Sequence, residues 1–489
     1  MDAYTKEMKR NHSTAYYNWW RKRKIQIYLC VAVFLFLVHS IVGAFRARDD
    51  GMLDDLEYEI VPSVGDEMHP VNNSPSNVIR IRNDLPYLDT VEEAETSSSS
   101  NDRRRNGRKD EVSNMSAIHR PLVAKHNSHH IFLDVGTPYK RQLLIIDTGS
   151  FHTAFPCDPC VDCGTHHANS MFYSVSDSSS SRHVTCGDCQ STTSCVKDKY
   201  GVNKCWLRKQ YTEGSSWTGY EVMDYVWFGN SETEFDFDHI QEEHQRMSTE
   251  YVFGCVNSEQ GMFKDQYADG IMGLGMSNSK SSIMQAFYDS GSIPSDAFAL
   301  CFSRTGGIFS LGGPATSAHT EMMMYTDLVT SRHHGKSHES LYVVNVVSIL
   351  IDDEPVEGGL DGFSTGKGTV IDSGTTDTFL PISVAAPFRT TWEKVTGMTY
   401  TNEEQILTLE QLSNLPQITF NLSNNLKWSV APRSYMEKIS SSNTFKNRIY
   451  LDEKAGAVMG SNVMVDHDIL FDIENQRLGL ANANCDYIV

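Results

Sequence analysis

The chain has 489 residues, of which 40% are hydrophobic and 21% charged, with 62 acidic against 42 basic side chains and a formal net charge of −20. That length leaves room for two lobes of ordinary domain size, and the acidic surplus argues against a nucleic-acid partner while remaining compatible with a basic substrate.

Residues 1–24 read as a cytosolic tail that closes on Arg21, Lys22, Arg23 and Lys24. Ile25 to Phe45, about 21 uncharged residues, are long enough to cross a bilayer core. The basic lead orients everything after Phe45 toward the lumen, as a signal-anchor. A cleaved signal peptide is the rival, since Val42 and Ala44 form a small-residue site. Residues 46–128 turn polar, with Ser97 to Ser100 in a row and few aromatics, so a flexible stalk or prosegment is expected. The basic run Arg103 to Lys109 reads as a processing site or as a solvated linker. Asn72, Asn114 and Asn421 lie in glycosylation sequons on the lumenal side, whereas Asn11 fits the pattern in the cytosolic tail.

The stretch LLIIDTGSFHTAFPC, residues 143 to 157, ends an apolar strand-like run on Asp147, Thr148, Gly149 and Ser150. The glycine permits a turn that a side chain would obstruct. Cysteines follow: Cys157, Cys160 and Cys163 in a C-x-x-C-x-x-C run, then Cys186, Cys189, Cys195, Cys205 and Cys255, with Cys301 and Cys485 further on and Cys30 in the apolar segment. Near His166 and His167 the run has the spacing of a zinc site, but a secretory-type N-terminus favours disulfides. The pairings inside this region are not readable from spacing.

Beyond it, Ser281 to Gly291 and Ser383 to Gly397 are the better helix candidates, and irregular insertions are expected near Ala315 to Ser340 and Glu354 to Gly368. Residues 368 to 381, GTVIDSGTTDTFLP, repeat the first motif with Asp372, Ser373, Gly374 and Thr375, roughly 225 residues downstream. Two carboxylates held a few ångströms apart cannot both ionise comfortably, so they share a proton. One then takes a proton from water while the other gives one to a carbonyl oxygen, which is general acid-base hydrolysis of a peptide bond. No serine, cysteine or histidine constellation rivals them, and no phosphate-binding glycine loop is convincing.

On these motifs the sequence resembles the pepsin-like aspartic proteases. The resemblance implies a mostly β, two-lobed fold with pseudo-two-fold symmetry and a cleft between lobes, here 129–299 and 300–489. It implies that Asp147 and Asp372 are catalytic, that Ser150 and Thr375 hydrogen-bond their outer oxygens, and that Thr148 and Ser373 brace the loops. Around 360 residues fit it, including HHIFLDVGTPYKRQ before the first motif, Ile271-Met272-Gly273 and Val458-Met459-Gly460 behind the two loops, and GGIFSLGG. It places a flap over QYTEGSSWTGYEVMDYV, with Tyr211 as the flap tyrosine and Gly214 and Ser215 at a hairpin tip that meets an extended substrate. The family usually has tryptophan seven positions after the first aspartate, and this chain has Ala154 followed by Phe155.

The cysteines narrow the kinship to nepenthesin-type members with a disulfide-stapled insert, and Cys301 with Cys485 resembles the bridge that ties down the last strand. FPC, CGTHH, FGC and LPQITFNLSNNLKW are similar to the plasmepsin V-like group, in which a flap glutamate two residues after the tyrosine faces the arginine of an Arg-x-Leu motif. Glu213 holds that place, and a carboxylate suits a guanidinium by bidentate pairing, although a solvated hairpin-tip charge is the plainer reading. Thr212 stands where that group has a flap cysteine. The expectation is a monomeric endopeptidase with no metal or organic cofactor, membrane-anchored, its catalytic part in the secretory lumen. It would process proteins at an Arg-containing motif or act as a broad acidic-compartment protease. An inactive peptide-binding relative is the rival from another class.

Overall fold

The computed structural model describes residues 116–486, apart from 170, 193, 199–200, 230–246, 277–281, 330, 334–335, 339–340 and 440–442. The tail, the apolar segment Ile25 to Phe45, Asn11, Asn72, Asn114 and the basic run Arg103 to Lys109 lie outside the described residues. Among the described residues no helix is long and apolar enough to cross a membrane.

The fold is mostly β and two-lobed. In the first lobe Lys140–Asp147 pairs in parallel with Gly270–Gly273, which runs antiparallel to Ala154–Asp158, itself parallel to Thr249–Gln260. The second lobe repeats the arrangement: Thr369–Asp372 is parallel to Ala457–Gly460, which is antiparallel to Thr378–Pro381, itself parallel to Ile449–Glu453. Even the register is shared. Asp147 lies opposite Gly273 and Asp372 opposite Gly460, while Ile271 faces Ala154 and Val458 faces Phe379. These strands read as apolar runs because both faces are covered, which is the usual pattern for parallel pairings.

Six strands drawn from both halves lie side by side in the sheet of the first lobe, in the order Met324–Asp327, Arg477–Asn482, His467–Asp472, Ala297–Phe302, Gly306–Leu311 and Ile118–Lys125, while the repeated strands of the second lobe form a separate sheet. This corrects three expectations. Ile118–Lys125 belongs to the sheet and not to a stalk, because its partly apolar face packs inward, with Leu122 buried. The boundary at 299/300 falls inside the strand Ala297–Phe302, all of which is buried. The segment Ala315 to Ser340 is not simply irregular, since it contributes the edge strand Met324–Asp327 and the pair Ser331–His333 and Lys336–His338. Glu354 to Gly368 holds only the two-residue strand Glu354–Pro355 and the single-turn helix Leu360–Ser364.

Both helix candidates form. Ile283–Ser290 starts on Ser282, whose hydroxyl accepts from Gln285 N, and stops at Gly291, where φ of 77° suits glycine. Ala385–Thr396 stops at Gly397 in the same way.

The ten cysteines of the protease region form five disulfides: Cys157–Cys255, Cys160–Cys163, Cys186–Cys195, Cys189–Cys205 and Cys301–Cys485. Cys157 leaves the C-x-x-C-x-x-C run to bridge two paired strands, and Cys189 reaches Cys205 in the strand leading to residue 210. The zinc reading fails here for a simple reason, since the sulfurs are bonded to one another. His167 is engaged elsewhere, by Glu259 at 3.0 Å and the Ala268 carbonyl at 2.8 Å. Asn421 is also corrected as a glycan candidate. It sits within Ile418–Leu422, its amide nitrogen donates to Ser348 Oγ at 2.8 Å, and its Oδ1 is buried.

Phe298 is fully buried where the shared sheet meets the second lobe, stacked on Phe471 at 4.7 Å and edge-on to Tyr342 at 6.1 Å. Truncating it leaves a cavity that the surrounding strands cannot close, so Phe298→Ala should cost about 3–5 kcal/mol of stability. A clear fall in melting temperature checks this; an unchanged melt would contradict the packing described.

Candidate active site

Each aspartate ends a buried strand, and the following residues turn back toward the other lobe. Thr148 N donates to Ser373 Oγ at 3.0 Å and Ser373 N donates to Thr148 Oγ1 at 2.9 Å. Each hydroxyl then passes its own hydrogen across: Thr148 Oγ1 to the Ile371 carbonyl at 2.9 Å, Ser373 Oγ to the Ile146 carbonyl at 2.8 Å. Four buried hydrogen bonds thus cross-link the loops and leave none of these groups unmatched.

The carboxyl groups are held from outside as well. Ser150 Oγ donates to Asp147 Oδ2, and Thr375 Oγ1 donates to Asp372 Oδ2 at 2.7 Å. Gly149 N donates to Asp147 Oδ1 at 2.8 Å, and Gly374 N to Asp372 Oδ1 at 2.9 Å. The glycines are required by the opposite carboxylate: a methyl on Gly149 would stand 2.7 Å from Asp372 Oδ1, and one on Gly374 would collide with the Asp147 carboxyl. Burial pushes the Asp147 pKa up to about 7, and the neighbouring Asp372 charge adds to the rise. Asp147 therefore retains a proton near neutrality.

Tyr342 was not singled out from sequence, yet it ties the two loops together. Its carbonyl accepts from Ile371 N at 2.9 Å, and its hydroxyl donates at 2.6 Å to the Leu274 carbonyl, while Leu274 N donates to the Asp147 carbonyl at 2.7 Å. An isolated tyrosine before two valines carries no pattern that would have marked it.

A hairpin from Asn203–Gln210 to Ser216–Phe228 reaches over the dyad. At its tip Tyr211 N donates to the Ser215 carbonyl at 2.9 Å and Gly214 takes φ of 97°, a value glycine adopts without strain. Ser215 Oγ accepts from Met262 N at 3.0 Å, which fixes the hairpin to the wall beside it.

The missing tryptophan is supplied from a different place. Trp217, on the returning strand, is buried and its indole nitrogen donates to the Tyr211 hydroxyl at 3.3 Å. The ring packs in one apolar cluster with Ala154, Phe263 and Ile271. A methyl on Gly254 would stand 3.1 Å from both the Ala154 methyl and the Trp217 ring, so the room for the indole exists because positions 154 and 254 are small. Sequence reading noted the absence at 154 but not the compensation, although Trp217 stands six residues after the tyrosine.

The dyad opens on a cavity of about 640 Å3 between the lobes. Its first-lobe wall includes Ile145, Tyr211, Phe263, Ile271 and, at the rim, Glu213; its second-lobe wall includes Val370, Phe379 and Val458 with the Lys367–Glu453 ion pair at 3.3 Å. Ile145 and Val370 occupy equivalent positions two residues before their aspartates, and Ile271 and Val458 two before their glycines. Gln266 lines the same space with a buried Nε2 that has no partner among the described residues. The structure thus brings together both aspartates, their supporting residues, Tyr211, Glu213 and Ser215 around one cavity; Gly214 sits at the exposed hairpin tip.

Comparison with known protein families matches residues 130–313 to the model described as xylanase inhibitor N-terminal and residues 341–482 to xylanase inhibitor C-terminal. Aspartic proteinase 36 of Arabidopsis thaliana is 26% identical over 380 residues, covering 72% of this chain and 73% of that protein. Plasmepsin V of Plasmodium falciparum is 28% identical over 183 residues, 37% of this chain and 28% of that protein. Aspartic protease 5 of Toxoplasma gondii is 23% identical over 412 residues, covering 73% of this chain but 36% of its own length. The match therefore spans under a third of the first parasite protein and little more than a third of the second.

Because Asp147 ionises less readily in the fold than the ordinary carboxylate value of 3.8, the folded chain holds an extra proton between about pH 4 and about 7. Stability from this group is full below that window and falls as pH rises through it. Asp147→Asn removes the loss. Melting curves should show the variant gaining on the parent from pH 4 to 7, and parallel curves would mean that the dyad does not hold the proton.

Proposed function

This chain belongs to the pepsin-like aspartic proteases and is an aspartic-type endopeptidase, and from that premise we propose that Asp147 and Asp372 activate one water to hydrolyse a peptide bond in the cavity they share. The observation that carries the proposal is the crossed bracing of Thr148 and Ser373, which sets the two aspartate loops face to face, with burial and the Asp372 charge raising the pKa of Asp147. One carboxyl takes a proton from the attacking water as the other gives one to the scissile carbonyl oxygen, with no covalent acyl-enzyme. The substrate lies extended beneath the hairpin, its backbone met by the groups at Tyr211 to Ser215 and its side chains by the two apolar walls.

The finer reading is cleavage beside an arginine. Glu213 at the cavity rim supports it, since a carboxylate there meets a guanidinium with two parallel hydrogen bonds. Gln266, with its unpaired buried amide, offers a polar neighbour in the same cavity. The protein named plasmepsin V is 28% identical over 183 residues of this chain, which lends the reading weight without extending to the rest of that protein. Five disulfides suit an oxidising compartment, so we place the catalytic region in the secretory lumen and keep Ile25 to Phe45 as its proposed membrane anchor. A catalytically silent peptide-binding role is the second reading, favoured by the description of the matched family models as inhibitors; the intact pair of aspartates speaks against it.

Cleavage of a peptide library across pH 4 to 7.5 tests this. Asp147→Asn and Asp372→Asn should each lower kcat by at least about 1,000-fold, and retained cleavage in either would refute the dyad. Glu213→Ala should reduce kcat/KM about tenfold on arginine-bearing peptides and leave others unchanged, since one charge-assisted contact is lost. Equal loss on both sets would remove Glu213 from specificity. Trp217→Phe keeps the ring but not the donor to Tyr211, and should lower kcat about threefold to tenfold through a less ordered hairpin, read as a kcat change with intact melting.

A further inference from the structure

A second cavity, of about 330 Å3, adjoins the central one and shares Thr376 with it. Thr376 follows the second aspartate motif directly, and its carbonyl accepts from Asn462 N at 3.1 Å, so the second cavity lies along the backbone that leaves Asp372. Its character is different. Where the central cavity is apolar with Glu213 at the rim, this one is lined by Lys125, Arg304, Arg433, Lys438 and Arg448 against only Asp377 and Glu437.

The carboxylates are already occupied. Arg448 bridges both, at 2.6 Å to Asp377 and 2.9 Å to Glu437, and Asn127 donates to the remaining Glu437 oxygen. Arg433 pairs with Asp466 at 2.7 Å. Lys125, Arg304 and Lys438 are exposed and have no carboxylate partner among the described residues; Lys125 stands 3.3 Å from the Tyr267 ring and Arg304 donates to the Arg433 carbonyl. On a chain of net charge −20 this is a local surplus of positive charge at one end of the cleft. A focused potential of that kind raises the local concentration of groups of opposite sign.

We propose that this cavity is a distal subsite that takes an acidic side chain of the substrate, several residues from the bond that is cut. The inference rests on the reading of the cleft as an extended-peptide site. An extended strand advances about 3.3 Å per residue, so a peptide of ordinary length crosses the dyad and passes Thr376 into this space. There Lys125, Arg304 and Lys438 are the lining cations without a carboxylate partner among the described residues, and they select carboxylates. Substrate preference then has two poles, a carboxylate at the hairpin for a basic residue near the cut and three cations for an acidic residue farther out.

The test measures binding separately from cleavage. Peptides with a reduced, uncleavable bond at the cut position, identical except for Glu or Lys at each distal position, are titrated into the full-length protein by fluorescence anisotropy at low and high salt. The parent should bind the Glu form about fivefold tighter at distal positions on one side of the bond, with the ratio shrinking in high salt. The double variant Lys438→Glu with Arg304→Glu should abolish or invert that ratio. Lys394→Glu, an exposed charge change on a remote helix where it pairs with Glu354, should leave the ratio unchanged. A ratio near one in the parent, or equal shifts in the double variant and in Lys394→Glu, overturns the proposal. Cleavage of the ordinary peptides is read alongside: its absence with the distal preference intact counts against the catalytic dyad and supports this subsite.

Discussion

The structure depends on one constraint, the reciprocal hydrogen bonding of Thr148 and Ser373 across the interface between the lobes. Each main-chain N–H donates to the other residue's hydroxyl, and each hydroxyl donates to the carbonyl of the residue just before the opposite aspartate. Because all four bonds are buried, separating the lobes would strand several polar groups in an apolar setting. The loops are consequently fixed, and with them the carboxyls that they carry. Everything unusual at the centre follows from that: glycines at 149 and 374 because no side chain fits, hydroxyls at 150 and 375 because the outer oxygens need partners, and a pKa near 7 for Asp147 because burial and a like charge oppose ionisation.

Around this axis the two lobes share a backbone but not a surface. Ala154 and Phe379 occupy equivalent register positions, seven residues after their aspartates, and their difference sets the two walls apart. The small residue on one side admits the Trp217 indole from the hairpin strand, which steadies Tyr211 over the dyad. Phe379 on the other side stacks on Tyr450 at 5.2 Å and itself lines the cavity.

The cysteine-rich insert acts on the same hairpin. Cys189–Cys205 fastens it to the strand that leads to Tyr211, and Cys157–Cys255 locks the paired strands beneath. His167 and Glu259, both buried, draw the insert against the wall that carries Phe263, whose ring meets Tyr211 at 5.1 Å. Burial lowers the His167 pKa, but hydrogen bonds to Glu259 and to the Ala268 carbonyl outweigh it, and the net shift is upward. The hairpin is thereby held by covalent and hydrogen-bonded links in addition to its packing.

How much of this was legible in the chain itself varied with the range of the interaction. Two D-T/S-G motifs with apolar runs before each aspartate carried the resemblance that implied the fold class and the paired aspartates, and an even set of ten cysteines pointed to disulfides, because such motifs depend on residue type and local spacing. Capping residues likewise marked both helices, since Ser282, Gly291 and Gly397 act on their own backbone. The disulfide pairing inside the cysteine-rich insert, the role of Trp217, the tether through Tyr342 and the cluster of cations beside Thr376 were decided only by tertiary structure. Lys125, Arg304 and Lys438 lie far apart along the chain, and their charges acquire meaning only once the fold brings them to one cavity. The strand Ile118–Lys125 was misread for the same reason: its partner Gly306–Leu311 is distant in sequence, and a half-polar strand is recognisable only when the surface that covers it is known.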